Sequence, residues 1–292
     1  MAVANGRPVA LVLGVANSRS IAWSSALCLM NRGYDVLVTY QNERFKPTVE
    51  KLIDNHKQSL RYDTHSGNDD PSLTCFPCDV SSEESIKKLF NEKVPTFLQQ
   101  RQQNSSSSST HLDAIVHSIA HAPPDAMKNG SLLSTSLPSF STAHAISSYS
   151  LLSVARLALP LLTSPDDKYY PSLTALTYLG STRAVPNYNV MGPAKASLEA
   201  VVRGLALELG PEYGIRVNAV SSGPIKTLSA RGIRGFTDMT TECELKSPLR
   251  RNVTADEVGE MVSFLAGKEA RGITGQVFFV DAGYSIVGGT PS

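Results

Sequence analysis

The clearest chemical pattern in the chain lies between residues 176 and 195, which read LTYLGSTRAVPNYNVMGPAK. Reducing a polar double bond needs two groups besides a hydride. One donates a hydrogen bond to the oxygen that gains negative charge; the other is a cation that orients the cofactor and lowers that donor's pKa. Tyr188 and Lys195 stand seven residues apart, so on a helix they project from one face. Pro193 lies between them and has no N–H, so the helix is expected to start late or bend there. A tyrosine here also reads as a core or interface residue, and spacing alone leaves both readings open.

A reductase must also hold a dinucleotide. Residues 11–22 read LVLGVANSRSIA, an apolar run that closes on Gly14 and leads into a helical pattern. Dinucleotide folds place G-x-G-x-x-G at such a turn, so that backbone approaches the pyrophosphate at a helix N-terminus. Here only Gly14 is present. Asn17, Ser18 and Ser20 can each cap the following helix. Gly14 with one of these serines would do the same work, and an ordinary strand-to-helix turn fits as well. Further on, Tyr40-Gln41-Asn42-Glu43 occupies the position that faces the adenosine ribose, and no Lys or Arg precedes Arg44. That favours NADH over NADPH. Asp79, followed by Val80, suits the adenine amino group and equally the cap of a helix starting near Ser82. Cys75-x-x-Cys78 has the spacing of a redox pair or half a zinc site, but Cys28 and Cys243 stand alone and the pair lies in an apolar strand. Core packing, with no metal, is the expectation.

Positioning these groups falls to a regular alternation. Strand patterns cover residues 9–14, 35–40, 74–80, 114–119, 173–179, 216–221 and 276–281. Helical patterns cover 21–32, 43–55, 83–100, 143–162, 194–209 and 255–265. The expected class is α/β: one single-domain, Rossmann-like, doubly wound parallel sheet of about seven strands, with helices on both faces. Ligands then sit beyond the carboxyl ends of the strands, near Gly14, Gln41, Asp79, Ile119, Gly180 and Gly223. Residues 55–73 are polar and rich in turn formers, and 99–110 (QRQQNSSSSST after Gln99) are low-complexity. Both are expected to be mobile surface insertions at the far edge, without a catalytic role.

Composition narrows the classes. The 292 residues are 41% hydrophobic and 18% charged, with 27 basic and 26 acidic side chains and a net charge of +1, so no surface of bulk charge awaits nucleic acid. No run of eighteen apolar residues occurs, so no membrane span is expected. Residues 1–8 are too short and polar for a signal or transit peptide. Four cysteines in this length make no disulfide scaffold and point to a reducing compartment. A soluble globular protein with a large core is expected.

The residues also carry a resemblance. Gly14-x5-Ser20-Ile21-Ala22, Thr39-Tyr40-Gln41-Asn42, Cys78-Asp79-Val80, His117-Ser118-Ile119-Ala120 and Ile146-Ser147-Ser148-Tyr149-Ser150 are similar to the NADH-dependent enoyl-acyl-carrier-protein reductases, a divergent branch of the short-chain dehydrogenase/reductase family. The strongest block runs from Tyr178-Leu179-Gly180 through Pro186-Asn187-Tyr188-Asn189-Val190-Met191-Gly192 to Ala194-Lys195-Ala196-Ser197-Leu198-Glu199-Ala200. Arg216-Val217-Asn218-Ala219, Gly223-Pro224-Ile225-Lys226-Thr227-Leu228 and Val280-Asp281-Ala282-Gly283 continue it. The resemblance implies hydride transfer from NADH to the β-carbon of a trans-2-enoyl thioester on acyl carrier protein, the last reductive step of fatty-acid elongation. It implies Tyr188 as donor to the thioester oxygen, Lys195 on the nicotinamide ribose and Tyr178 as a second active-site tyrosine. For the cofactor it implies Gly14, Ser20 and Ile21 at the pyrophosphate, Gln41 at the ribose, Asp79 and Val80 at adenine, and Ser118 and Ile119 along the nicotinamide path. Ile225, Thr227, Leu228 and Ser229 would close over the carboxamide and phosphates. Ala122 would meet the substrate through its backbone, with a lid over residues 224–247.

Two departures are visible. Ala120-His121 stands where the family pattern has Gly-Phe, and on the lid only Arg234 keeps a basic position for an acidic carrier, Thr237 and Asp238 replacing the others. Arg231 is a candidate to compensate. A homotetramer is implied, packed through residues 143–162 and 194–209, with neither nucleic acid nor membrane as partner. The insertions suggest a eukaryotic organelle, plastid or mitochondrial matrix; a bacterial chain would be cytoplasmic. Two other functions remain to be weighed. A short-chain carbonyl reductase would ordinarily carry Lys four residues after its Tyr, and none of the ten tyrosines has one. A non-catalytic NAD(H)-binding protein would bind the cofactor without turnover.

Overall fold

The computed structural model describes residues 6–62, 71–104, 109–128, 131–163 and 170–288. The strands are β1 (Val9–Leu13), β2 (Asp35–Tyr40), β3 (Leu73–Pro77), β4 (Ala114–His117), β5 (Ser172–Thr177), β6 (Arg216–Ser222) and β7 (Val277–Val280). They form one parallel sheet in the order β3-β2-β1-β4-β5-β6-β7, so the order reverses between β1 and β4. Val9, Leu11 and Leu13 enter one apolar layer while Ala10 and Val12 enter the other. Such continuous apolar strands are what a sheet covered on both sides requires. Three strands leave the sheet two or three residues before their expected ends: β3 at Pro77, β4 at His117 and β5 at Thr177. The residues released this way, among them Asp79, Ile119 and Tyr178, turn over the carboxyl edge.

One face carries α1 (Ile21–Asn31), α2 (Lys46–Tyr62) and α10 (Ala255–Ala266). The other carries α3 (Glu83–Lys88), which passes through a π turn into α4 (Val94–Asn104), with α7 (Ser150–Leu162) and α8 (Met191–Tyr213). Short α5 (Pro124–Lys128) and α6 (Leu137–His144) precede α7, and α9 (Phe236–Lys246) lies over the carboxyl edge.

Several expectations need correction. The polar stretch after residue 55 is helical as far as Tyr62, because α2 continues through it; residues 63–70 lie outside the description. The low-complexity stretch is helical through Asn104, with residues 105–108 outside the description. Its Arg101 ties the helix to the sheet, pairing with the Asp35 carboxylate and donating to the carbonyl of Arg7 at 3.1 Å. The long helix expected at 143–162 starts earlier, at Leu137, and runs through a π turn at Ala145–Tyr149. Over Leu137–Leu162 it is apolar and long enough for a bilayer, but half of that window is buried in this fold. Helix α8 begins at Met191, earlier than the expected residue 194 but after Tyr188, so Tyr188 and Lys195 do not project from one helix face: Tyr188 lies in the turn that precedes α8. Pro193 falls in the first turn, where N–H groups have no intrahelical acceptor and none is lost.

Candidate active site

A cleft of about 290 Å³ opens where the order of strands reverses. On its floor the turn after β1 bends at Gly14, whose φ is +98°. A Cβ there would stand 2.4 Å from the Ser118 carbonyl oxygen, so only glycine lets β1 and β4 end side by side. Ser20 is the N-cap of α1 by position, but its hydroxyl does not cap the helix. It donates back to the carbonyl of Asn17 and accepts from the amides of Ala16 and Asn17 at 3.4 Å. The amides of Ile21 and Ala22, in the first turn of α1, have no intrahelical acceptor and form a positive end.

The tyrosines are built from the other side. Asn187 and Asn189 hold left-handed φ of 62° and 41° around Tyr188, a conformation asparagine tolerates. Asn189 also donates to the Ala126 carbonyl at 3.1 Å. Tyr188 is thereby delivered against Tyr178, with ring centroids 4.7 Å apart at 60°. Gly180 makes room: a Cβ on it would sit 2.4 Å from Tyr188 Cδ1. Tyr188 is buried and its hydroxyl has no hydrogen-bond partner among the described residues. Tyr178 donates to Met239 Sδ on α9 at 3.2 Å. Burial pushes the Tyr188 phenol well above its ordinary range, with Tyr178 and Glu199 adding to the rise. This corrects the expectation that the nearby cation would lower it. Burial likewise raises Tyr178.

Lys195 projects from the second turn of α8 and is 3% exposed. Its Nζ donates to the carbonyls of Leu176 at 2.8 Å and Ile119 at 3.1 Å, which leaves the third donor of the ammonium uncommitted at the cleft wall. Burial pulls its pKa down to about 8, and the Glu199 carboxylate acts in the opposite direction.

The serines of the π turn brace this edge. Ser147 Oγ accepts from the His121 amide and donates to the His121 carbonyl, each at 2.9 Å, which fixes the loop after β4. Ser148 meets Ser197 of α8 at 2.9 Å. Ser150 donates to the Ile146 carbonyl at 2.6 Å, so at 2.7 Å it accepts from His117 Nε2, and His117 carries its proton there. Burial, and then the charge of Lys195, holds His117 down at about 3, so it is neutral. Tyr149 of the same turn faces outward. Local π geometry frequently marks functional sites.

The structure brings together around one cleft Gly14, Ser20, Ile21, Ser118, Ile119, Ala122, Tyr178, Tyr188, Lys195, Ile225, Thr227 and Leu228. Gln41 and Asp79 stand outside its walls, at the ends of β2 and β3, where Gln41 Nε2 donates to Asp79 at 3.4 Å. Val80 follows Asp79. Asp79 accepts from Ser81, while Ser82 caps α3, so Asp79 is not the helix cap. The side chains of Ser229 and Arg231 lie outside the description. Sequence reasoning missed the apolar wall of Met127, Met191, Phe236 and Met239, and the Thr177–Glu199 bond of 2.6 Å. A carboxylate one turn after Lys195 was the available signal for the latter. Cys75 and Cys78 are free and pack on opposite faces of the sheet.

A family model described as enoyl-(acyl carrier protein) reductase matches residues 14–285, nearly the whole chain. The chain belongs to that family. The enoyl-[acyl-carrier-protein] reductase [NADH] of Bacillus cereus is 41% identical over 281 residues, covering 95% of this chain and 96% of that protein. The Escherichia coli enzyme of the same name is 40% identical over 279 residues, 94% of this chain and 93% of the other. Among solved structures, the reductase of Anaplasma phagocytophilum in complex with NAD superimposes with a TM-score of 0.81 at 35% identity, covering 100% of this chain and 99% of that one. A Bacillus cereus reductase with NADP+ and indole naphthyridinone gives 0.80 at 40% identity, covering 99% and 100%. His121, at one of the two departures from the family pattern, is exposed at the cleft and held through its backbone by Ser147.

Proposed function

We propose that the chain reduces the trans-2 double bond of enoyl thioesters carried by acyl carrier protein, with NADH as the hydride source, at the last reductive step of fatty-acid elongation. The observation that carries this reading is the convergence of a protonated Tyr188, Tyr178 and the Lys195 ammonium on one apolar cleft. The residues fit the dinucleotide. Lys195 has a donor to spare for the ribose hydroxyls, and the first amides of α1 meet the pyrophosphate beside Gly14, Ser20 and Ile21. Asp79 next to Gln41 disfavours a 2′-phosphate, and Arg44 is exposed with its amide bound to Asn42. NADH, when bound, supplies the hydride to the β-carbon. Tyr188 donates a hydrogen bond to the thioester oxygen as it becomes an enolate, its raised pKa keeps its own proton in place, and a proton taken up from solvent at the α-carbon then gives the saturated acyl chain. Tyr178 supports the same oxygen, releasing its bond to Met239. Ser118, Ile119, Ile225, Thr227, Leu228 and Ser229 line the nicotinamide and phosphate path, Val80 flanks adenine, and the Ala122 backbone meets the thioester.

Arg234 is exposed on the lid for an acidic carrier. The reading includes a homotetramer, as the family resemblance implies, packed through α7 and α8. The experiment is NADH consumption with a trans-2-enoyl chain linked to carrier protein or to coenzyme A, beside a ketone control. Consumption with the thioesters, fastest on the carrier, is expected. Reduction of the ketone alone would move the assignment to a carbonyl reductase, and NADH binding without turnover to a cofactor-binding protein.

A further inference from the structure

Thr177 is the last residue of β5, and both its neighbours serve the cleft. The Leu176 carbonyl accepts from Lys195, and Tyr178 packs on Tyr188. The Thr177 hydroxyl donates to Glu199 Oε1 at 2.6 Å. Glu199 lies one turn beyond Lys195 on α8, 6% exposed, on a helix face otherwise made of Ala194, Leu198 and Val202. A buried carboxylate among apolar neighbours is unfavourable unless something compensates it, and neither helix nor core needs one here.

We propose that Glu199 is a positioning residue for the cofactor site. Through Thr177 it fastens the end of β5, and its charge keeps Lys195 an ammonium ion where solvent is excluded. The inference rests on the functional reading above, since the ammonium matters by holding the cofactor ribose. Two carbonyls leave the Lys195 cation without a counter-charge, and Glu199 is the charge that opposes the effect of its burial. Of the other titratable groups near Lys195, His121 is exposed at the same cleft, and three others keep one charge state near neutral pH. His117 of β4 is neutral, and burial keeps Tyr188 and Tyr178 protonated. On the packed neighbours, Arg156 of α7 pairs with Glu83, His144 of α6 binds the Phe140 carbonyl, and Arg216 of β6 binds the Leu265 carbonyl.

The test is NADH affinity, read by the fluorescence of the bound nicotinamide across pH, for wild type, Glu199→Gln, Thr177→Ser and Thr177→Val. Wild type should lose affinity as pH rises past the Lys195 transition. Glu199→Gln keeps an acceptor for Thr177 and removes the charge, so its midpoint should fall by about one pH unit. Thr177→Ser should match wild type, and Thr177→Val should bind about ten-fold more weakly for one lost bond to a charged group. A purely structural role would lower the melting temperature of Glu199→Gln and leave the midpoint in place, which overturns the proposal. If Glu199→Gln does not fold, equal affinities for Thr177→Ser and Thr177→Val overturn it, and a ten-fold gap upholds it. A wild type that binds no NADH would overturn the functional reading together with this one.

Discussion

The two ends of the one sheet treat polar groups in opposite ways. At the amino ends, Asp35 accepts from the Ser72 amide at 2.5 Å and pairs with Arg101, which also binds the carbonyls of Arg7 and Ser109. Asp113 accepts from the Val9 amide at 2.7 Å. Each charge there is matched inside the protein, and the matching sews the polar helix extension onto the sheet. At the carboxyl ends, among the described residues, Lys195 keeps a free donor, Tyr188 keeps a free hydroxyl, and the first amides of α1 have no intrahelical acceptor. The difference teaches that satisfied polarity fixes the fold, whereas unsatisfied polarity at a cleft waits for a ligand to complete it.

That contrast can be broken from either end. The largest expected effect is at the amino ends. Arg101→Ala leaves Asp35 buried without its partner and should lower stability by about 3–5 kcal/mol in denaturant unfolding, with NADH affinity unchanged. At the carboxyl ends, Lys195→Met should weaken NADH binding about 10²–10³-fold through the lost charge-assisted bonds. The same substitution should stabilise the apoprotein, the opposite of Arg101→Ala. The sign follows from linkage: with Lys195 at about 8 when folded and near 10.4 when unfolded, the unfolded state binds more protons between these values. The buried charge therefore opposes folding by about 3 kcal/mol below pH 8, and the opposition fades as pH rises toward 10.4. Thermal melts of both proteins across that window should converge at its alkaline end.

Smaller effects sharpen the picture. Gly180→Ala should displace the Tyr188 ring and lower kcat about 10²-fold while NADH affinity holds, because a misplacement of about 1 Å suffices. Ser147→Ala should release the His121 backbone, with about 1 kcal/mol less stability and a raised KM for the thioester.

The strands were legible because burial on both faces leaves unbroken apolar runs, and β2 matches its expected span from Asp35 to Tyr40. Lys195 was legible as a helix residue, whereas Tyr188 reaches the same cleft from the turn before α8, between left-handed Asn187 and Asn189, so the helix-face argument that paired them does not describe how they meet. What escaped has physical causes. Arg101 is masked by its serine-rich surroundings, and its partner Asp35 is distant in sequence. Pro193 suggested a delayed helix, but its effect depends on falling within the first turn, which local pattern does not reveal. The direction of the Tyr188 shift depends on burial rather than on neighbours in sequence. Glu199 and Met239 act through bonds that only the folded chain forms.

The central claim is that Tyr188 supplies the hydrogen bond that makes this cleft an enoyl reductase. It is tested most directly by NADH consumption on a carrier-linked trans-2-enoyl thioester, wild type against Tyr188→Phe, with NADH affinity measured in the same samples. The account predicts turnover by wild type, a rate about 10²–10⁴-fold lower in the variant, and equal NADH affinity. Equal rates for the two proteins, or no consumption by wild type despite bound NADH, would contradict it.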